Sequence, residues 1–134
     1  DMLELTFDAL VAPAETPGSA WRSLTYALLE GASDALEISR DDIDGVLHRR
    51  GGRPGIVLFD VVPGGAGHAM QIATRLDRVF TAALKRAGGC DCGPETACYG
   101  CLRNFRNQRY HDELSRGAAL GILEAVGGLV VTTP

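Results

Sequence analysis

The sequence predicts an α+β fold: a small antiparallel sheet with helices packed on it, carrying a four-cysteine knuckle. Three observations lead there. "DDIDGVLHRR", "GGRP" and "GIVLFDVV" follow one another as a strand, a turn and a second strand, a hairpin and therefore an antiparallel sheet. Long segments on either side place apolar residues at helical rather than alternating intervals. All four cysteines fall within the twelve positions from Cys90 to Cys101.

The elements follow in order. "MLELTF" alternates Leu3, Leu5 and Phe7 with Glu4 and Thr6, the period of a half-buried strand. "PAETPGS" then interrupts the chain and leaves Ser19 as the expected N-cap of a helix from Ala20 to Ile38. Trp21, Leu24, Thr25, Leu28, Ala32 and Ala35 form its buried face, while Glu30, Asp34 and Glu37 line another, expected to be solvated. In the hairpin, the unbroken apolar run of "GIVLFDVV" marks the central strand. After "PGGAGH", Met70, Ala73, Leu76, Val79, Phe80 and Ala83 make the stripe of one long helix ending at Gly88-Gly89. Gln71, Arg75, Arg78, Lys85 and Arg86 are left for its polar side. Past the cysteines, Leu114, Ala118, Ile122 and Val126 mark a third helix, and "LVVTT" reads as a short last strand or a tail.

A chain of 134 residues amounts to one domain, 1–134, large enough to fold around its own core without a metal staple. No apolar run reaches the roughly 18 residues that a membrane span needs, and "DMLELTF" lacks the basic start of a signal peptide. The expectation is a soluble, cytoplasmic chain with no membrane partner. In that reducing compartment a tight cysteine cluster points to a metal more than to disulfides. The immediate start on a strand, with no initiator Met, suggests part of a longer protein. The net charge of −4 hides a division: residues 1–44 hold ten acids and two bases (−8), and residues 45–134 hold seven acids and eleven bases (+4). Either the second part faces an anionic partner or the two parts match each other.

Cys90, Cys92, Cys98 and Cys101 stand as C-x-C-x5-C-x2-C. Zinc takes four thiolates tetrahedrally, and two close pairs joined by a short loop can surround one ion. Gly93-Pro94 turns the chain between the pairs, and Gly100 is expected at the positive φ of a tight zinc knuckle. An iron-sulfur cluster uses the same four thiolates, and crossed disulfides are a third reading. Zn2+ is the expected cofactor.

The continuation "LRNFRNQRY" is basic. If it is helical, Arg103, Arg106 and Asn107 share a face suited to phosphate or base edges, with Arg109 beside them; Phe105 and Tyr110 either stack on bases or pack the knuckle on the core. The alternative for the arginines is pairing with the acidic first part. "PGGAGH" is neither a Walker loop nor a dinucleotide fingerprint, and Asp60 is expected to cap that turn as a buried acid. Its backbone N–H groups form a lesser candidate for phosphate binding. No nucleophile with a base, and no carboxylate pair, can be assembled; Asp60 with His68 comes nearest. The chain alone is therefore not expected to be an enzyme.

Together, "IVLFDVVPGGAGHA", "CDCGPETACYGCLRNFRNQ" and the following "H" and "L-S-R" resemble the C-terminal zinc-binding domain of the mitomycin-repair-factor (MrfA) type of superfamily 2 DNA helicases, a module similar to one in prokaryotic defence proteins. The resemblance runs from about Ala20 to Ile122. It implies a non-catalytic domain, the C-terminal part of an ATP-driven 3'-to-5' DNA repair helicase, with the four cysteines as metal ligands. Its implied partners are single-stranded or tailed DNA and the helicase motor domains, in cis or in trans. The motor's own motifs do not occur in this chain. Two rivals stand beside this accessory reading: a protein-interaction scaffold docking through the acidic helix, and an iron-sulfur module.

Overall fold

A computed structural model describes residues 2–7, 16–50, 53–62 and 66–127, with the side chains of 49, 50, 53, 54, 105, 106 and 127 left aside. The expected last strand "LVVTT" lies outside the described residues. β1 (Met2–Thr6), β2 (Ile43–Arg50) and β3 (Arg53–Asp60) form an antiparallel sheet in the order β1-β3-β2, so the apolar strand is central, as expected. Leu3 pairs with Leu58 and Leu5 with Ile56; Leu58 in turn faces Gly45, and Ile56 faces Leu47. This parity sends Leu3, Leu5, Ile43, Ile56 and Leu58 to one face, where all are buried. The opposite face leaves Met2 at 74% and Val46 at 50% exposure, so the helices cover one side only.

The long helix α1 (Gly18–Leu36) lies on that apolar face and supplies Trp21, Leu24, Leu28 and Leu29 to the core. It starts before Ser19, with Pro17 as N-cap, because the fixed φ of proline suits a helix start. Ser19 is then an ordinary first-turn residue whose carbonyl accepts the Ser23 hydroxyl. The helix also stops short of Ile38, at Glu37, which takes the left-handed conformation at φ 55°.

The single helix expected after the glycine loop is two: α2 (His68–Thr74) and α3 (Leu76–Gly88), broken at Arg75 with φ −128° and ψ 37°. α2 packs on β1 and β3, whereas α3 packs on α1 and α4, and no straight rod serves both. Met70 is 57% exposed, off the apolar stripe to which its spacing assigned it, because α2 buries Ala69 and Ile72 instead. α1 and α3 approach closely at Gly31, where a Cβ would stand 2.7 Å from both the Ala83 nitrogen and the Val79 carbonyl oxygen. The last helix, α4 (Arg116–Gly127), buries Ala119, Ile122, Leu123 and Val126. Leu114 is buried too, but precedes it.

At the glycine loop, Gly67 adopts φ 79° and the Asp60 carboxylate reaches across from the end of β3. Its Oδ2 accepts N–H bonds from Ala66, Gly67 and His68 at 2.7, 2.9 and 3.3 Å, and its Oδ1 accepts one from Ala69 at 2.9 Å. Asp60 thus caps α2, as expected, although it is half-buried rather than the buried acid anticipated. These four amides already hold a carboxylate, so they offer nothing to a phosphate. The imidazole of His68 points elsewhere, to Asp42 at 3.8 Å and Gln71 at 3.3 Å. No helix among the described residues is long and apolar enough to cross a membrane.

Candidate metal centre

α3 closes at Gly89, whose N–H bonds the Lys85 carbonyl, and the chain leaves the helix straight into Cys90 and Cys92. A turn from Gly93 to Thr96 then reverses it towards Cys98 and Cys101. Thr96 and Pro94 give their carbonyls to the amides of Arg116 and Gly117, which fastens this turn to the start of α4. The second pair forms a compact knuckle in which the N–H groups of Cys101, Leu102 and Arg103 converge on the Cys98 carbonyl at 3.1, 3.2 and 2.9 Å. Gly100 is not among the residues of positive φ there, contrary to expectation; its role is proximity, with its N–H 3.3 Å from the Cys98 sulfur. The Cys98 N–H likewise meets the Cys101 sulfur at 3.2 Å.

These turns bring all four sulfurs within 4.8 Å of one another. Sγ separations are 3.6 Å for Cys90–Cys92, 3.4 Å for Cys90–Cys98, 3.7 Å for Cys92–Cys101 and 3.9 Å for Cys98–Cys101. None is a disulfide. Zinc–sulfur bonds of about 2.3 Å in a tetrahedron separate the sulfurs by about 3.8 Å, so the donor set fits one ion. As thiols the four differ. The Cys92 N–H, then the neighbouring thiols of Cys98 and Cys92, bring Cys90 down to about 7. Burial pushes Cys101 up to about 12 and raises Cys92 as well. Burial thus disfavours a thiolate at Cys101, and a bound cation would favour it.

Two arginines clamp this knuckle from outside, and sequence spacing gave no sign of either. The Arg86 Nε donates to the Cys101 carbonyl at 2.8 Å, while its other nitrogens reach Glu30 at 3.1 Å and Asp34 at 2.9 Å on α1. The Arg116 guanidinium, buried at 8% exposure, donates to the carbonyls of Ala87, at 2.9 Å, and Cys92. Glu30 also accepts from Arg40 at 2.8 Å and from the Asn104 amide at 3.2 Å. The acidic face of α1, expected to be solvated, is the anchor of this cluster.

The basic segment is not an α-helix. Residues Phe105–Tyr110 form a 3₁₀ helix bent at Asn107. Asn107 is fully enclosed: its Oδ1 accepts from the Asn104 N–H at 2.9 Å and from His111 Nε2 at 2.8 Å, and its Nδ2 donates to the Leu102 carbonyl at 2.8 Å. It is thus turned away from any surface ligand, contrary to the shared face its spacing suggested. Because Nε2 of His111 meets only acceptors, that nitrogen carries the proton. Arg103 is half-buried and spans Thr96 at 3.5 Å and the His111 carbonyl at 3.3 Å. Arg109 is exposed, 5.8 Å above the Tyr110 ring, and the side chains of Phe105 and Arg106 lie outside the described set.

A family model described as the MrfA Zn-binding domain matches residues 24–102, which runs from within α1 through the sheet hairpin, α2 and α3 to include all four cysteines. The chain belongs to that family. A relative within reach of the MrfA-type domain is Druantia protein DruE of Escherichia coli (strain UMEA 4076-1), 38% identical over 76 residues, or 56% of this chain and 4% of DruE. Among solved structures, the DUF1998 helicase MrfA bound to DNA superposes with a TM-score of 0.62 at 21% identity, over 81% of this chain and 14% of the helicase. The fold is shared with that helicase, and the MrfA-type domain spans a small fraction of either protein's length.

Proposed function

We propose that this chain is a non-catalytic accessory domain of a DNA helicase or DNA-processing complex, in which one zinc ion held by Cys90, Cys92, Cys98 and Cys101 organises a basic surface for DNA or for the motor. The observation that carries the reading is the packing of four sulfurs within 4.8 Å, locked to α1 and α4 through Arg86 and Arg116. An iron-sulfur cluster holds several irons and must spread its thiolates further apart than a single ion does, so these spacings favour zinc. The thiols are free, which suits a reducing compartment such as the cytoplasm.

The domain is read as part of a larger helicase-like protein, with ATP turnover supplied by a motor in cis or in trans. Single-stranded or tailed DNA is the partner proposed, with the exposed Arg109 as the described arginine of the 103–109 segment still available to it and Arg106 proposed beside it. Arg103 and Asn107 serve that surface indirectly, by holding the segment in shape. The scaffold alternative, docking through the acidic helix, is the less favoured reading, because Glu30 and Asp34 are engaged within the domain.

Metal analysis of the purified chain should give one zinc per chain and no acid-labile sulfide. Cys98→Ser should lower zinc content and loosen residues 88–112 while leaving the helical core folded. Iron with sulfide, or a chain without metal and without free thiols, would overturn the reading. ATP hydrolysis should be absent, and turnover abolished by mutating a residue of this chain would contradict the accessory role.

A further inference from the structure

Nine of the chain's thirteen Lys and Arg residues have described side chains, and five of these are engaged internally. Arg22 meets Glu113, Arg40 and Arg86 meet Glu30, Arg103 spans the knuckle, and Arg116 is buried against Cys92. That leaves Arg75, Arg78, Lys85 and Arg109, all exposed, and three of the four follow one another along α3. No ion pair or hydrogen bond occupies the side chain of Arg75, Arg78 or Lys85 among the described residues.

Arg78, Ala82 and Lys85 recur at intervals of four and three, so they share one face of α3, away from the buried Val79, Ala83 and Ala87. Arg75 stands one turn before Arg78, at the break between α2 and α3. Arg78 and Lys85 are about 10.5 Å apart along the axis, with Arg75 about 4.5 Å beyond. The row is therefore about 15 Å long with cations at both ends and one between. Its Lys85 end opens onto a groove of ≈ 800 Å³ beside the knuckle, lined also by Ala82, Arg86 and Cys90. The acids nearest the row are Asp77 on its flank and Asp34 and Asp91 in the groove; Asp34 is neutralised by Arg86.

We infer that the exposed row Arg75–Arg78–Lys85 on α3, rather than the 103–109 segment, is the surface on which this domain holds the DNA phosphate backbone. The inference rests on the DNA reading above and moves its site. A line of three unpaired cations about 15 Å long suits a line of anions. Because the whole chain carries a net charge of −4, attraction to an anion has to come from a local cluster of cations such as this row and must be salt-dependent.

The test compares three forms of this chain, each checked for zinc content and melting temperature: the parent, Arg75→Ala/Arg78→Ala/Lys85→Ala, and Arg106→Ala/Arg109→Ala. A fluorescent tailed oligonucleotide is titrated at 50 and 200 mM salt. Three phosphate contacts on single strands predict a loss of about twentyfold in affinity between the two salts for the parent. The triple variant should bind more weakly and lose most of that salt dependence, while the 106/109 variant keeps it. If the triple variant binds as the parent does and the 106/109 variant fails, the α3 site is overturned and the DNA reading stands. If the parent binds no oligonucleotide even at 50 mM salt, both fall. Polyglutamate of matched charge that displaces the oligonucleotide as well as unlabelled oligonucleotide does would overturn the commitment to DNA in favour of an acidic protein partner.

Discussion

Asn107 shows how little a residue's identity says about the direction in which its side chain points. Between two arginine-bearing turns it reads as a surface amide, yet it is wholly enclosed and satisfies the Asn104 N–H, the His111 ring and the Leu102 carbonyl at once. Asn107→Ala removes partners from the buried Leu102 carbonyl and from the half-buried Asn104 N–H and His111 ring, and should cost about 2–3 kcal/mol in chemical denaturation, whereas Ala at the exposed neighbour Gln108 should cost under about 0.5. Glu30 carries a comparable burden with charge. Its carboxylate, 10% exposed, faces the guanidinium groups of Arg40 and Arg86, and Glu30→Gln would take the carboxylate from Arg40 and leave Arg86 with Asp34 alone. A loss of about 3 kcal/mol is expected from the same denaturation measurement. Asp34 makes a shorter bond to Arg86 but is 46% exposed, so Asp34→Ala should cost less than about 1 kcal/mol. Equal effects at the two acids would show that burial does not decide their weight.

Among elements, α2 depends on a residue outside itself. Its first-turn amides are held by Asp60 from the end of β3. Burial acts to raise the Asp60 pKa, but the N–H groups of Ala66, Ala69, His68 and Gly67 outweigh it and hold the carboxyl below its usual range. A lowered folded pKa means that the cap stabilises fully above the unfolded carboxyl's pKa of about 3.9, and that this contribution disappears as pH falls through the lower folded value. Asp60→Asn should thus lower stability modestly at neutral pH and cost close to nothing once both forms are uncharged. Thermal melts of the two proteins from pH 7 to about pH 2 should converge; a gap that persists into acid would assign Asp60 a role other than charge.

In the molecule as a whole, the divided charge is partly spent inside. Glu30 and Asp34 from the acidic part meet Arg86 from the basic part, and Arg22 meets Glu113 in the opposite sense. These pairs join the knuckle, whose Cys101 and Leu102 are themselves buried in the core, to the completely buried Leu24, Leu28, Ile56, Leu58 and Val79 of the helices and sheet, which the domain is expected to keep packed without the metal. Removing metal with a chelator should therefore leave the helical circular dichroism nearly intact. Amide exchange from 90 to 116 should accelerate on the order of tenfold or more, while residues 24–29 and 56–58 stay protected. Cooperative loss of the whole domain on chelation would mean that the metal holds the fold itself.

The sheet, its strand order and the cysteine cluster were legible because each rests on local pattern. Alternation in "MLELTF", the turn in "GGRP" and the spacing of Cys90, Cys92, Cys98 and Cys101 are short-range facts. The family itself was readable from the segments around those cysteines, and the match over residues 24–102 bears it out. What periodicity could not supply was the place of charged and amide side chains once the helices crossed. Arg86 stands on the polar side of α3 by spacing, and only the approach of α1 at Gly31 brings Glu30 and Asp34 to it. Likewise the break at Arg75 and the inward turn of Asn107 answer to which neighbours α2 and the knuckle must pack against. Apolar residues announce burial by their chemistry, whereas an arginine or asparagine is buried or free according to partners tens of residues away, and only tertiary structure chooses those partners.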